Sequence, residues 1–219
     1  LTVTVLDKKQ IEKEKMGGLL AVAQGSQHEP RFVICEYHGH LAHGQGAHGC
    51  KPIVLVGKGI TFDTGGISLK PWNKMEEMKF DMAGGAAVIA TVAIAARLKF
   101  PVHVVGLVPL AENMPSHTAY KPGDVITISD GTTVEILTTD AEGRMVLADG
   151  LSYAKKYKPS VIVGVATLTG AIVAALSDYA TGLFTGDDAL ATTLERLGKE
   201  TGDRVWRMPM PKAWADHHN

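Results

Sequence analysis

The sequence predicts a three-layer α/β/α domain on a mixed, mainly parallel central sheet, and three observations lead there. Near-continuous apolar runs at Pro52 to Val56, Val102 to Leu110 and Ser160 to Ala166 read as strands buried on both faces. Longer runs of helical period, Met75 to Leu98 and Met145 to Tyr157, lie between them, and such alternation gives parallel strands with helices above and below. Asp130-Gly131, between Val125 to Ser129 and Thr132 to Leu137, is a hairpin signal that makes the sheet mixed.

Composition sets the bounds. With 219 residues, 45% of them hydrophobic, the chain can bury one sizeable core. Lys plus Arg at 22 against Asp plus Glu at 23 leaves a net charge of −1, so no global field draws in nucleic acid or an anionic membrane. No basic, aromatic-interleaved stretch suggests single-strand binding either, so nucleic acid is not an expected partner. Two cysteines, Cys35 and Cys50, are too few for a disulfide framework, and Leu1 to Gln10 lacks the layout of a signal peptide; a cytoplasmic location is the expectation. The longest apolar stretch, Ser160 to Leu176, is interrupted by Gly164, Thr167, Thr169 and Gly170 and splits into a strand and a helix, so no membrane span is expected.

In chain order, Leu1 to Leu6 reads as a strand and Lys8 to Lys15 as a charged helix that stops at Gly17-Gly18. Arg31 to Tyr37 is β-rich. After it His38, His40, His43 and His48 sit among glycines and end at Cys50; the spacings match no usual zinc pair, and a solvated surface loop with incidental metal affinity is expected. Within Met75 to Leu98, Ala86 to Ala96 is apolar all round, as for a helix packed on more than one face. Met75 and Met78, one turn apart, are by themselves more often core filler than substrate contacts. Ala111 to Asp124 is a loop. Leu168 to Leu176 reads as a helix, Tyr179 to Thr185 and Asp188 to Glu200 repeat the strand-helix pattern, and Trp206 to Asn219 fits neither element.

The chemistry concentrates in two stretches. Thr138-Thr139-Asp140-Ala141-Glu142-Gly143-Arg144 follows a strand and precedes a helix, the place where open α/β sheets bind ligands. In an extended segment Asp140 and Glu142 would point the same way and call for a cation; alternatively they cap the helix that follows. Gly57 to Gly66 also follows an apolar strand and contains Lys58 and Asp63, with Lys70 and Asp81 soon after. Asp81, near a helix start, is explained either by the helix dipole or by a metal site. Four acids meeting without compensation would repel, and two divalent cations remove that cost. Oxygen-rich coordination suits Zn²⁺, Mn²⁺ or Mg²⁺, and a lysine beside two dications would lose its proton readily.

These residues resemble the cytosolic leucine aminopeptidases, two-metal exopeptidases whose signature reads Asn-Thr-Asp-Ala-Glu-Gly-Arg-Leu; this chain has Thr138 for the Asn and Met145 for the Leu. Val56 to Lys70, Asp81 to Ala87, Asn113-Met114-Pro115-Ser116 and Thr167-Leu168-Thr169-Gly170 resemble that family in the same order. The resemblance implies a zinc-peptidase-like catalytic domain over 1–219, without the family's amino-terminal domain and short of its carboxyl-terminal segment. It implies one metal on Asp63, Asp140 and Glu142 and another on Lys58, Asp63, Asp81 and Glu142, with Lys70 stabilising the oxyanion and Arg144 holding a bicarbonate. It also implies substrate contacts from Met78, Thr167, Leu168 and Gly170, peptide substrates with apolar first residues such as leucine, and a homo-hexamer in the full-length protein. A non-catalytic assembly or DNA-binding member of the same family is the alternative.

Overall fold

The structure, a computed structural model, describes residues 1–39 and 51–211. It divides into two compact units, Leu1–Leu168 and Thr169–Asn219.

The first unit is built on a six-stranded mixed sheet. β1 (Thr2–Leu6) runs antiparallel to β2 (Arg31–His38), and β2 antiparallel to β5 (His103–Asn113). β3 (Ile53–Gly57) and β4 (Gly59–Asp63) both lie parallel to β5, and β8 (Val161–Val165) lies parallel to β3. The α/β class and the mixed sheet are those the sequence predicts, but the antiparallel pairs come from β1 and β2. Among the described residues the hairpin strands β6 (Val125–Thr127) and β7 (Thr133–Glu135) pair only with each other, in a separate two-stranded sheet.

Period-two alternation sorts the core into two layers. Phe32, Ile34, Val54, Val56, Val105 and Leu107 face one side, where they meet Ile11 of α1 (Lys8–Lys13), Leu19 and Val22 of α2 (Gly17–Ala23) and Val146 of α4 (Glu142–Ala154). Val33, Cys35, Tyr37, Leu55 and Val104 face the other, against Val92 and Ala95 of α3 (Ala83–Arg97). Helices therefore cover both faces, and each fully buried Val, Leu or Ile stabilises the fold by about 1.5–3 kcal/mol.

Two boundaries and the burial of one helix differ from the sequence reading. Gly17 and Gly18 open α2 instead of ending a helix, because a Cβ on Gly17 would lie 2.0 Å from the Thr127 carbonyl oxygen and one on Gly18 2.4 Å from that of Met145. They are points of close backbone approach, and Asp149 of α4 accepts a hydrogen bond from the Leu19 amide at 2.8 Å just beyond them. The run from Met75 to Leu98 is a 3-10 helix, Met75–Phe80, and then α3, separated at Asp81-Met82. By length and composition Met75–Arg97 could cross a membrane, yet its Val88, Val92 and Ala95 are buried. Among the described residues that side of α3 alone is covered; Ile89 and Ile94 are exposed at 40% and 53%, against the expectation of packing on more than one face.

The second unit contains α5 (Gly170–Leu176), β9 (Thr181–Leu183), α6 (Asp188–Thr201) and β10 (Val205–Arg207), with β9 and β10 paired parallel. α6 is well delimited: the Asp187 side chain caps its start and Gly202, left-handed at φ +82°, ends it. His40, His43, His48 and Cys50, and the end of the chain from Lys212, lie outside the described residues.

Candidate metal centre

β3 and β4 follow β5 as one line broken at Lys58. Val56 pairs with Leu107 and Gly59 with Leu110, the same offset on either side of the break. At the break the Lys58 amide donates to the Val165 carbonyl at 3.0 Å, and its own carbonyl accepts from the Gly85 amide at 2.7 Å. Its side chain is thereby directed inward, 2% of the residue being exposed. Gly143 leaves room for it, since a Cβ there would lie 2.9 Å from Lys58 Nζ.

Farther along β4 the register shifts by one residue between Ile60 and Phe62, a bulge at Thr61, and brings Asp63 opposite Asn113. Asn113 Nδ2 donates to Asp63 Oδ1 at 2.8 Å and to the Thr139 carbonyl at 3.0 Å. The Tyr120 hydroxyl donates to that same carbonyl at 2.8 Å. Thr139 Oγ1 accepts from the Ser68 amide and donates to the Gly65 carbonyl, tying the loop after β4 to the loop before α4. Asn113, Tyr120 and Thr139 are all buried.

Two lysines stand among four carboxylates. Lys58 Nζ lies 2.8 Å from Asp81 Oδ2 and 2.7 Å from Glu142 Oε1, and donates to the Thr167 carbonyl at 3.0 Å. Lys70 Nζ lies 2.8 Å from Asp63 Oδ2 and also pairs with Asp140 Oδ1. One oxygen each from Asp63, Asp81 and Glu142 lies within 4.8 Å of the other two. Asp140 stands at the rim, joined to this trio through Lys70. The extended-segment reading of Asp140 and Glu142 fails, because Thr139–Ala141 is a 3-10 turn and Glu142 already opens α4. The two side chains therefore diverge onto different lysines.

Burial lifts the pKa of Asp81 above the usual carboxylate range, against the pull of Lys58 and the hydroxyl of Thr167, which donates to Asp81 Oδ1 at 2.7 Å. Burial lifts that of Glu142 as well, opposed by Lys58 and reinforced by Asp63. For Lys70 burial acts downward, but hydrogen bonds to Asp140 and Asp63 outweigh it and its pKa rises. Burial and the surrounding carboxylates push the Tyr120 phenol up, so it remains the donor to Thr139.

The donor set fits divalent ions. Four acids against two lysines leave a formal surplus of two negative charges in a largely buried cluster. Glu142 Oε2 is buried without a hydrogen bond, and Asp81 Oδ2, although close to Lys58 Nζ, is not aligned for one. Such orphaned oxygens carry a desolvation cost that a cation would remove.

The profile of the cytosol aminopeptidase family, catalytic domain, matches residues 1–219. The chain belongs to the cytosol aminopeptidase family. It is 53% identical over 210 residues to a probable cytosol aminopeptidase of Aromatoleum aromaticum, covering 96% of this chain and 41% of that protein. Similar proteins of the same description in Bordetella petrii and Legionella pneumophila are 53% and 48% identical, each match covering 99% of this chain and 43% of the relative. The chain thus spans well under half the length of these family members.

The remaining positions suggested by the family resemblance are placed as follows. Arg144 is exposed on the first turn of α4 and forms no ion pair among the described residues. Met78 is half-buried on the 3-10 helix, and its carbonyl accepts from the Asp81 amide. Thr167 turns both its hydroxyl and its carbonyl to the cluster, and Leu168 is 46% exposed, its Cδ1 close to Gly143. Gly170 opens α5 in the second unit. Tyr120 and Thr139 carry no charge, and a role for either depends on pairing that a sequence alone does not display.

Proposed function

We propose that this chain carries the two-metal centre of an aminopeptidase that removes amino-terminal residues, apolar ones such as leucine, from peptides. The observation that supports it most is the convergence of buried carboxylate oxygens of Asp63, Asp81 and Glu142, from three separate stretches, within 4.8 Å of one another, with Lys58 against two of them. Lys58, Asp63, Asp81, Asp140 and Glu142 would hold the ions, Zn²⁺, Mn²⁺ or Mg²⁺. Such ions, when bound, supply a water acidic enough to be a nucleophile at neutral pH and polarise the scissile carbonyl.

The substrate's free α-amino group would be a further ligand to an ion held there, which favours cleavage at a chain end over cleavage within a chain. The chain's own groups account for the rest. Lys70, kept protonated by Asp63 and Asp140 and 21% exposed at the rim, can donate to the carbonyl oxygen as negative charge builds there. Arg144 offers a planar fork for bicarbonate as proton shuttle. Thr167, Leu168, Met78 and Gly170 are the substrate contacts of this reading, and a homo-hexamer is its assembly.

Hydrolysis of leucine amide or a leucyl anilide with Mn²⁺ or Zn²⁺, run beside calorimetric metal titration of the same chain, tests this. Metal uptake lost in Asp140→Ala, with turnover lost on chelation, is the expected result. Turnover that survives both chelation and Asp140→Ala would sink the reading.

A further inference from the structure

A second cluster lies at the opposite end of β5, where the sheet begins rather than where its carboxylates meet. Glu36 and His38 are two residues apart on β2 and so share a face, and His38 pairs across the ladder with His103, the first residue of β5. His103 is ten residues before Asn113, which at about 3.3 Å per residue puts the cluster roughly 30 Å from the carboxylate centre.

Its geometry is already that of a ligand set. Glu36 Oε1 lies 2.8 Å from His38 Nε2 and 3.2 Å from His103 Nε2. The two imidazole rings stack with centroids 3.8 Å apart and planes 33° from parallel. One donor atom from each residue falls within 4.8 Å of the other two. A tetrahedral ion with bonds of about 2.0–2.1 Å needs donors about 3.3 Å apart, close to both of these oxygen–nitrogen separations. The side chains are partly open, at 28%, 37% and 11% for Glu36, His38 and His103, so an ion can enter and a water can complete its shell.

We propose that Glu36, His38 and His103 form a second metal site, for a transition ion of the zinc class, that fastens β2 to β5. Two imidazoles and one carboxylate suit Zn²⁺, Cu²⁺ or Ni²⁺ better than Mg²⁺ or Ca²⁺. On binding, each ring presents an unprotonated Nε2 to the ion: a neutral ring carries its one proton on Nδ1, and a cationic ring gives its Nε2 proton to solvent. The site shares no ligand with the carboxylate centre, so it stands whether or not the peptidase reading holds.

Zn²⁺ titration of the full chain, followed by the imidazole ¹⁵N–¹H resonances, tests it. His38 and His103 should shift together, completing at one equivalent of bound ion per site. The shift should persist when His40, His43 and His48 are all changed to Ala, and vanish from His38 in His103→Ala. Glu36→Gln, a milder change at a partly exposed position, should weaken binding by about tenfold or more and keeps the test open if His103→Ala fails to fold. The proposal is overturned if neither ring responds to saturating Zn²⁺, if His38 still shifts in His103→Ala, if Glu36→Gln binds as tightly as the unaltered chain, or if the triple histidine variant loses the response.

Discussion

Lys58 is the residue on which the centre balances. It is buried and its ammonium is the nearest positive charge to both Asp81 and Glu142. Breaking a buried pair by removing one partner costs about 3–5 kcal/mol, because the other charge is left uncompensated. Lys58→Met should therefore lower the urea midpoint sharply in the presence of chelator, and added Zn²⁺ or Mn²⁺ should recover part of the loss. The carboxyls of Asp81 and Glu142, with that of Asp149 in α4, are raised by burial and shape the pH dependence. A carboxyl whose folded pKa exceeds its unfolded one binds its proton more tightly in the folded state, so its stabilising contribution is full below the unfolded value and lost as pH rises through the folded one. Without metal, stability should fall as pH climbs from about 4, the ordinary carboxylate value, and Glu142→Gln should flatten that slope. Urea midpoints across this range, with and without the substitution, provide the check.

At the scale of elements, the sequence showed charged side chains better than it showed approach distances. Lys58, Asp63, Asp81, Asp140 and Glu142 were readable because charges and glycines at strand ends and helix starts have few structural uses. Gly17-Gly18 was misread because a glycine that breaks a helix and one that admits another backbone look alike in one dimension. The difference is measurable. Ala is favoured over Gly within helices by at most about 1 kcal/mol, whereas a Cβ 2.0 Å from the Thr127 carbonyl cannot be accommodated without moving the β6–β7 hairpin. Gly17→Ala should thus destabilise by about 1–3 kcal/mol, the usual range for overpacking, read as a lower Tm. The roles of Asn113, Tyr120 and Thr139 were not legible for a related reason: their partners lie across the sheet or across a loop, and pairing depends on a register that no single strand contains.

For the whole molecule, the two units divide the chemistry unevenly. Lys58, Asp63, Lys70, Asp81, Asp140 and Glu142 all belong to Leu1–Leu168, together with both layers of the core. A chain ended after Leu168 should keep the rise in Tm that Zn²⁺ or Mn²⁺ gives the intact chain, as a thermal melt with and without metal would show.

The bulge at Thr61 has a numerical consequence. Lys58 and Asp63 are five positions apart, an odd count, and on a regular strand odd spacing sends two side chains to opposite sides. Along β5 the matching levels, Pro109 by interpolation and Asn113, are four apart, an even count. The extra residue converts one parity into the other and lets an amine and a carboxylate from one line of backbone serve the same centre. Deleting Thr61 should leave Lys58 and Asp63 four positions apart on a regular strand, an even count that keeps both on one side and level with Pro109 and Asn113, so metal uptake in calorimetry should persist. Deleting Thr61 and Phe62 together leaves three, an odd count, and should abolish it.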